Sequence, residues 1–170
     1  QTKSDKPRPL VVSLHTWSHD YSQIDSIGLL CIKNNINYIH PDFRGPSKTI
    51  NACCSDFVIS DIDDAIEYAI NNSNVDTSKI FVIGLSGGGY TTLGVFMKSK
   101  YNINKFSAWA SISDLTAWYY ESLIRRPKYA IDILSCTDTS KNELNEKMAK
   151  MKSPIYMDLP SNRLNNSKLY

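Results

Sequence analysis

Residues Lys79-Ile80-Phe81-Val82-Ile83-Gly84-Leu85-Ser86-Gly87-Gly88-Gly89 decide the fold. After the lysine, a run of β-branched and aromatic residues predicts a buried strand. Four of the chain's seven glycines then fall within six residues. Residues 90–98 read as a helix. A strand that turns into a helix through such a cluster needs a backbone reason.

Three turns of this kind carry chemistry. A phosphate loop requires Lys and Ser/Thr after its last glycine, but Tyr90 follows here. A dinucleotide loop requires Gly where Ser86 stands, and an acidic residue about 20 residues on, at the end of a second strand; neither is present. Gly-x-Ser-x-Gly is met by Gly84-Leu85-Ser86-Gly87-Gly88, with the required strand before and helix after.

That turn has a specific physics. The serine sits at its tip in dihedrals that cost about 1–3 kcal/mol. Small residues two before and two after it let strand and helix approach closely. The hydroxyl is lifted into the open, and the Gly87 N–H points to the same space at a helix start. An oxyanion forming there gains from that N–H and from the helix dipole.

Outward from the turn, residues 9–15 form a short apolar run that predicts a strand. Ile24, Ile27, Leu30 and Cys31 predict a short amphipathic helix, and residues 37–40 a second strand. Ile59, Ile62, Ala65, Ile66, Ala69 and Ile70 form a helical stripe, with Ser55 as N-cap and Asn71-Asn72 as its end. Residues 106–113 predict a further strand, and residues 115–134 helix broken at Pro127. Ser140-x-x-Glu143 reads as a capping box for a helix carrying Leu144, Met148 and Met151, ended by Pro154. Lys168-Leu169-Tyr170 suggests the start of another strand. The alternation predicts an α/β fold: three layers, a mostly parallel sheet with helices on both faces.

Composition narrows the function. The chain has 170 residues, with 19 Lys plus Arg against 17 Asp plus Glu, a net charge of +2. That balance makes no case for nucleic acid or an acidic membrane surface. No run of 18 apolar residues predicts a membrane span. Cys31, Cys53, Cys54 and Cys136 form no Cys-x-x-Cys pair, and the adjacent Cys53 and Cys54 read as unpaired loop or core residues. Asn71-Asn72-Ser73 and Asn165-Asn166-Ser167 are glycosylation-type triplets too short to carry weight. Gln1 opens the chain, so a processed chain or a fragment is expected, and the compartment is left open. No linker, repeat or low-complexity tract divides residues 1–170, which read as one domain.

The chain resembles the α/β-hydrolase superfamily, and more narrowly prolyl-oligopeptidase-type catalytic domains and the secreted esterases close to them. The resemblance rests on Val12-Ser13-Leu14-His15-Thr16-Trp17, Pro41-Asp42-Phe43-Arg44-Gly45-Pro46, Asp61-Ile62-Asp63-Asp64-Ala65 and the Ser86 turn. It implies that Ser86 is a nucleophile and that Gly87 N–H is one oxyanion donor. It implies a second donor from the loop after the first strand, at Trp17 or its neighbour Thr16. His15 is then a loop-fixing residue, and His15 and His19, on a strand end and loop, make no zinc site. Arg44 either braces that loop or forms an ordinary salt bridge. Trp109, Trp118, Tyr119 and Tyr120 either line a substrate pocket or pack under a helix.

A serine needs a base, and the base an orienting acid, in chain order Ser, Asp/Glu, His. No histidine follows Ser86; all three lie in the first 40 residues. His40 reaches Ser86 only by an unusual loop path. Asp114, directly after the predicted strand 106–113, is a candidate acid or else a helix N-cap. The expectation is a partial α/β-hydrolase domain, through the nucleophile turn and the following strand, without its acid and histidine. Alone it is expected to be inactive and marginally folded, with strand 106–113 left as an apolar edge. The function expected of the parent is hydrolysis of small ester or peptide substrates through a Ser86 acyl-enzyme, with no metal and no cofactor. The alternative is a noncatalytic binding module on the same fold, for which no Asp/Glu and His would follow downstream.

Overall fold

A computed structural model describes residues 6–138 and 143–170. Five parallel strands run in the order β2-β1-β3-β4-β5: β1 (Arg8–Leu14), β2 (Asn37–Ile39), β3 (Val75–Leu85), β4 (Lys105–Trp109) and β5 (Lys168–Leu169). The helices between them are α1 (Ser26–Lys33), α2 (Asp56–Asn72), α3 (Gly87–Lys98), α4 (Leu115–Arg125), α5 (Pro127–Thr137), α6 (Glu146–Met151) and α7 (Ser161–Asn166). This is the predicted α/β architecture.

Alternation along β1 explains the main core. Leu10, Val12 and Leu14 face one side and are buried with Ile80 and Val82 of β3 and Phe106 of β4. The α2 stripe of Val58, Ile59, Ile62, Ile66 and Ala69 covers them, joined by Val95 and Phe96 of α3. Each buried isoleucine contributes about 1.5–3 kcal/mol. Ser55 caps α2 as expected, its side chain accepting from Val58 N. Buried Asp63 accepts from Ser99 Oγ and Lys100 N, fastening α2 to the end of α3. Buried Arg163 donates to the carbonyls of Phe96, Ser99 and Tyr101, which fastens α7 to the same place.

Several expectations are corrected. β3 starts at Val75, four residues before the predicted start at Lys79, because Val75 pairs with Arg8 across an irregular register. β4 ends at Trp109 rather than residue 113, since Ala110 turns to a φ of 44°. It is also not an edge: β5 pairs along it at Lys105↔Lys168 and Phe106↔Leu169. The α1 stripe is not a core face. Cys31 is buried, but Ile24 and Leu30 are exposed. Periodicity identifies a face without showing what covers it. The last predicted helix begins at Glu146 with Asn145 as its cap; Ser140 of the expected capping box lies outside the described residues, as do Gln1 and the side chain of Asn165.

Cys53 is not free. It forms a disulfide with Cys136 across 83 residues, their Cα atoms 6.1 Å apart. Packing of α5 over the loop before α2 brings the two together, which no local spacing reveals. Cys54 is free and buried. These cysteines belong to a second cluster with Trp17, Tyr90, Leu115, Tyr119 and Ile133. Among the described residues, no helix is long and apolar enough to cross a membrane.

The strand order also locates the site. From β1 the chain passes to β2 on one side, and from β3 to β4 on the other. Between the carboxyl ends of β1 and β3 the connections diverge and leave a crevice. The Trp17 loop leaves one of those ends, and Ser86 follows the other.

Candidate active site

Ser86 occupies φ 56° and ψ −115° between β3 and α3. A non-glycine residue there stores about 1–3 kcal/mol of strain. The surroundings hold it in place: Ser86 N donates to Trp109 O at 2.9 Å, and Ser86 O accepts from Tyr90 N at 2.9 Å. The side chain is half-buried, and its Oγ has no hydrogen-bond partner among the described residues. Strain, fixation and an unused hydroxyl therefore coincide at one residue.

Gly87 opens α3 directly against the loop after β1. A Cβ at residue 87 would lie 2.2 Å from Trp17 N and 2.4 Å from Trp17 Cα. Only glycine permits this approach. The backbone on either side of the Trp17 N–H, and the Trp17 indole, are tied. Thr16 N donates to Gln23 Oε1 at 2.9 Å, and Trp17 O accepts from Ser47 N at 2.8 Å. The buried indole Nε1 donates to Asp132 Oδ2 at 3.1 Å. The N–H groups of Trp17 and Gly87 have no acceptor among the described residues. Two free donors at a helix N-terminus, beside an unpartnered serine, are suited to hold an oxygen as it acquires charge.

The other sequence candidates are placed as follows. Asp114 caps α4, its Oδ1 accepting from Thr116 N at 2.8 Å and Ala117 N at 3.1 Å. Its Oδ2 accepts from Tyr156 Oη at 2.9 Å. Because β4 stops at Trp109, Asp114 does not follow the strand directly as expected. Arg44 bridges to Asp61 at 2.7 Å and lies over the Phe57 ring. His40 Nδ1 lies 2.8 Å from Ser13 O, on the far side of β1 from Ser86. The aromatic group divides. Trp118 meets the Trp17 ring edge-on at 4.8 Å, and Tyr119 is buried beside it. Trp109 and Tyr120 are exposed. An open cleft of about 410 Å³ reaches Gly84 and Leu85, lined also by Thr16, Gln23 and Trp109.

His15 is the buried neighbour of the Trp17 loop. Its ring stacks on Phe43 at 3.7 Å, and Nδ1 lies 3.1 Å from Thr16 O. Burial holds its pKa below the ordinary 6.5, against the opposing pull of the Thr16 carbonyl and Asp42; His40 adds to the lowering and Asp20 opposes it. The unfolded chain therefore takes up this proton first as pH falls. The stability contributed by neutral His15 is full above pH 6.5 and declines as pH drops below it. The slope is bounded by about 1.4 kcal/mol per pH unit, the linkage limit for one proton. Urea unfolding at pH 7.5 and pH 5 is expected to show a larger loss in the wild type than in His15→Gln. Equal losses would assign the acid sensitivity elsewhere.

Two supporting residues escape a sequence reading. Gln23 lies in a polar loop with no motif around it. Asp132 offers one signal: it is an acid on the face of α5 that also carries Cys136 one turn on.

The sequence model of the prolyl oligopeptidase family matches residues 32–157. No curated protein matches the chain by sequence. Among solved structures, a substrate-bound fluorophosphonate-binding serine hydrolase of Staphylococcus aureus aligns with 99% of the chain at 15% identity and a TM-score of 0.67. Prolyl oligopeptidase B of Galerina marginata aligns with 92% of it at 13% identity and a TM-score of 0.69. The Pyrococcus horikoshii acylaminoacyl peptidase aligns with 91% at 16% identity and a TM-score of 0.66. At these identities the likeness is one of fold. The chain spans 65% of the first protein's length, 23% of the second and 26% of the third.

Proposed function

The chain belongs to the prolyl oligopeptidase family, and we propose that it carries the nucleophile and oxyanion hole of a serine hydrolase acting on small ester or peptide substrates. In this reading Ser86 Oγ attacks the carbonyl carbon, the tetrahedral intermediate breaks its C–O or C–N bond, the alcohol or amine leaves with the serine proton, and water then hydrolyses the acyl-enzyme that remains. The N–H groups of Gly87 and Trp17 hold the oxygen of the tetrahedral intermediate. Each such donor is worth about 3–4 kcal/mol in the transition state. A histidine outside the 170 residues takes the serine proton, since none follows Ser86 here. Without it the 170 residues alone turn over nothing. Asp114, occupied with its cap and with Tyr156, serves α4 rather than the base.

The observation that carries the reading is the strained, unpartnered Ser86 beside two unpaired N–H groups. A fluorophosphonate probe tests it on the full-length protein. The expected result is one phosphonylated peptide containing Ser86, absent in Ser86→Ala. Labelling that persists in that variant, or none in the wild type, would sink the proposal.

A further inference from the structure

The Trp17–Asp132 pair joins elements that are 115 residues apart. Asp132 lies on α5 and is 8% exposed; Trp17 is 3% exposed. The indole N–H is the one hydrogen-bond partner of the Asp132 carboxylate among the described residues. Removing a carboxylate from water for a single neutral donor is a poor trade for stability, and an apolar residue would pack there at less cost. The pair does something else well: it fixes the rotation of the indole. Trp118, edge-on at 4.8 Å, and Tyr90, at 5.9 Å, bound the ring on other sides.

The loop follows the ring. Thr16 is fastened by Gln23, and the Trp17 carbonyl by Ser47. With those ends held, the indole anchor sets the direction of the one Trp17 group left over, its N–H. On the other side α5 itself is clamped. Cys136 stands one turn beyond Asp132 and is bonded to Cys53. Residues 50–52 of that same loop accept two hydrogen bonds from buried Lys152, at Ile50 O and Ala52 O. The anchor therefore rests on a rigid support rather than on a free helix.

We propose that Asp132 is a positioning residue for the oxyanion hole: through the Trp17 indole it aims the Trp17 backbone N–H at the carbonyl oxygen of the substrate. This rests on the serine hydrolase reading given above. The N–H counts most when charge has developed, so its misdirection lowers kcat and leaves KM nearly unchanged. A donor tilted but not deleted loses less than the hundredfold to thousandfold of a removed donor.

The test uses the full-length protein and an activated ester. Asp132→Ala is expected to lower kcat about 10- to 100-fold with KM within about threefold. Asp132→Asn keeps an acceptor oxygen and is expected to recover most of the rate. Trp17→Phe keeps a ring and loses the donor; it is expected to match Asp132→Ala, and the double variant to be no worse than either alone. A loss spread equally over kcat and KM, or additive losses in the double variant, would overturn the proposal. So would an unchanged kcat in Asp132→Ala. Hydrogen exchange at the Trp17 indole supplies a readout independent of turnover. Protection in the wild type that disappears in Asp132→Ala is expected, and an unprotected wild-type indole overturns the anchor itself. Fluorophosphonate labelling of the wild type separates the two levels. Labelled Ser86 with a null Asp132 effect defeats only the positioning role, whereas unlabelled Ser86 defeats the hydrolase reading and this proposal with it.

Discussion

Ser86→Ala is expected to reduce ester turnover by the full-length protein by roughly 10⁴-fold or more while leaving its unfolding midpoint unlowered. The two halves of that result have separate causes. In the proposed mechanism, loss of Oγ removes the atom that forms the acyl bond, so what remains is water attack assisted by the proposed Gly87 and Trp17 donors. Such holes retain a residual catalysis of roughly 10³–10⁴ over water. Stability is another matter. Ser86 Oγ makes no hydrogen bond to the described residues, so its deletion breaks none. Alanine at φ 56° is as strained as serine, so the backbone energy is unchanged. Turnover and thermal unfolding measured on the same samples check both halves. A variant that keeps its turnover, or one that loses it only by unfolding, would contradict the assignment.

What the sequence made legible follows the range of the interactions. The turn at Ser86 is local: strand, small residues and helix lie within about twenty positions, and their spacing states the geometry. The α2 stripe is equally local: Ile59, Ile62, Ile66 and Ala69 are buried as predicted and Ala65 and Ile70 partly so, while buried Val58 and Asp63 lie outside the predicted stripe. The proposal of a donor at Trp17 or Thr16 came only through family resemblance, because nothing in residues 12–17 alone specifies a free N–H. The Trp17–Asp132 pairing and the Cys53–Cys136 bond were not legible. Each joins positions dozens of residues apart, and a polar residue reveals its partner only when packing brings the two together. The exposed α1 face shows the opposite limit: its spacing was read correctly as helical, but burial is a property of neighbours, not of period.

Gly84→Ala is expected to destabilise the fold by about 3 kcal/mol or more, the upper end for overpacking, because the obstruction is backbone on both sides. A Cβ at residue 84 would stand 2.2 Å from both the carbonyl carbon and the oxygen of Gly88, and 2.8 Å from Gly89 N. No rotamer relieves that contact. β3 and α3 must separate, and α3 cannot turn freely to allow it, since Gly88 is itself seated against the Leu14 carbonyl of β1. Gly45→Ala provides the contrast. Gly45 has φ +62° with nothing within 4 Å of its added Cβ, so only left-handed strain applies, about 1–2 kcal/mol. Urea unfolding of the two variants side by side separates a steric role from a conformational one. If Gly84→Ala proves no worse than Gly45→Ala, strand and helix are not pressed together at the turn. Ser86 would then lack the close support that holds its dihedrals, and the case for a strained, presented hydroxyl would fail at its foundation.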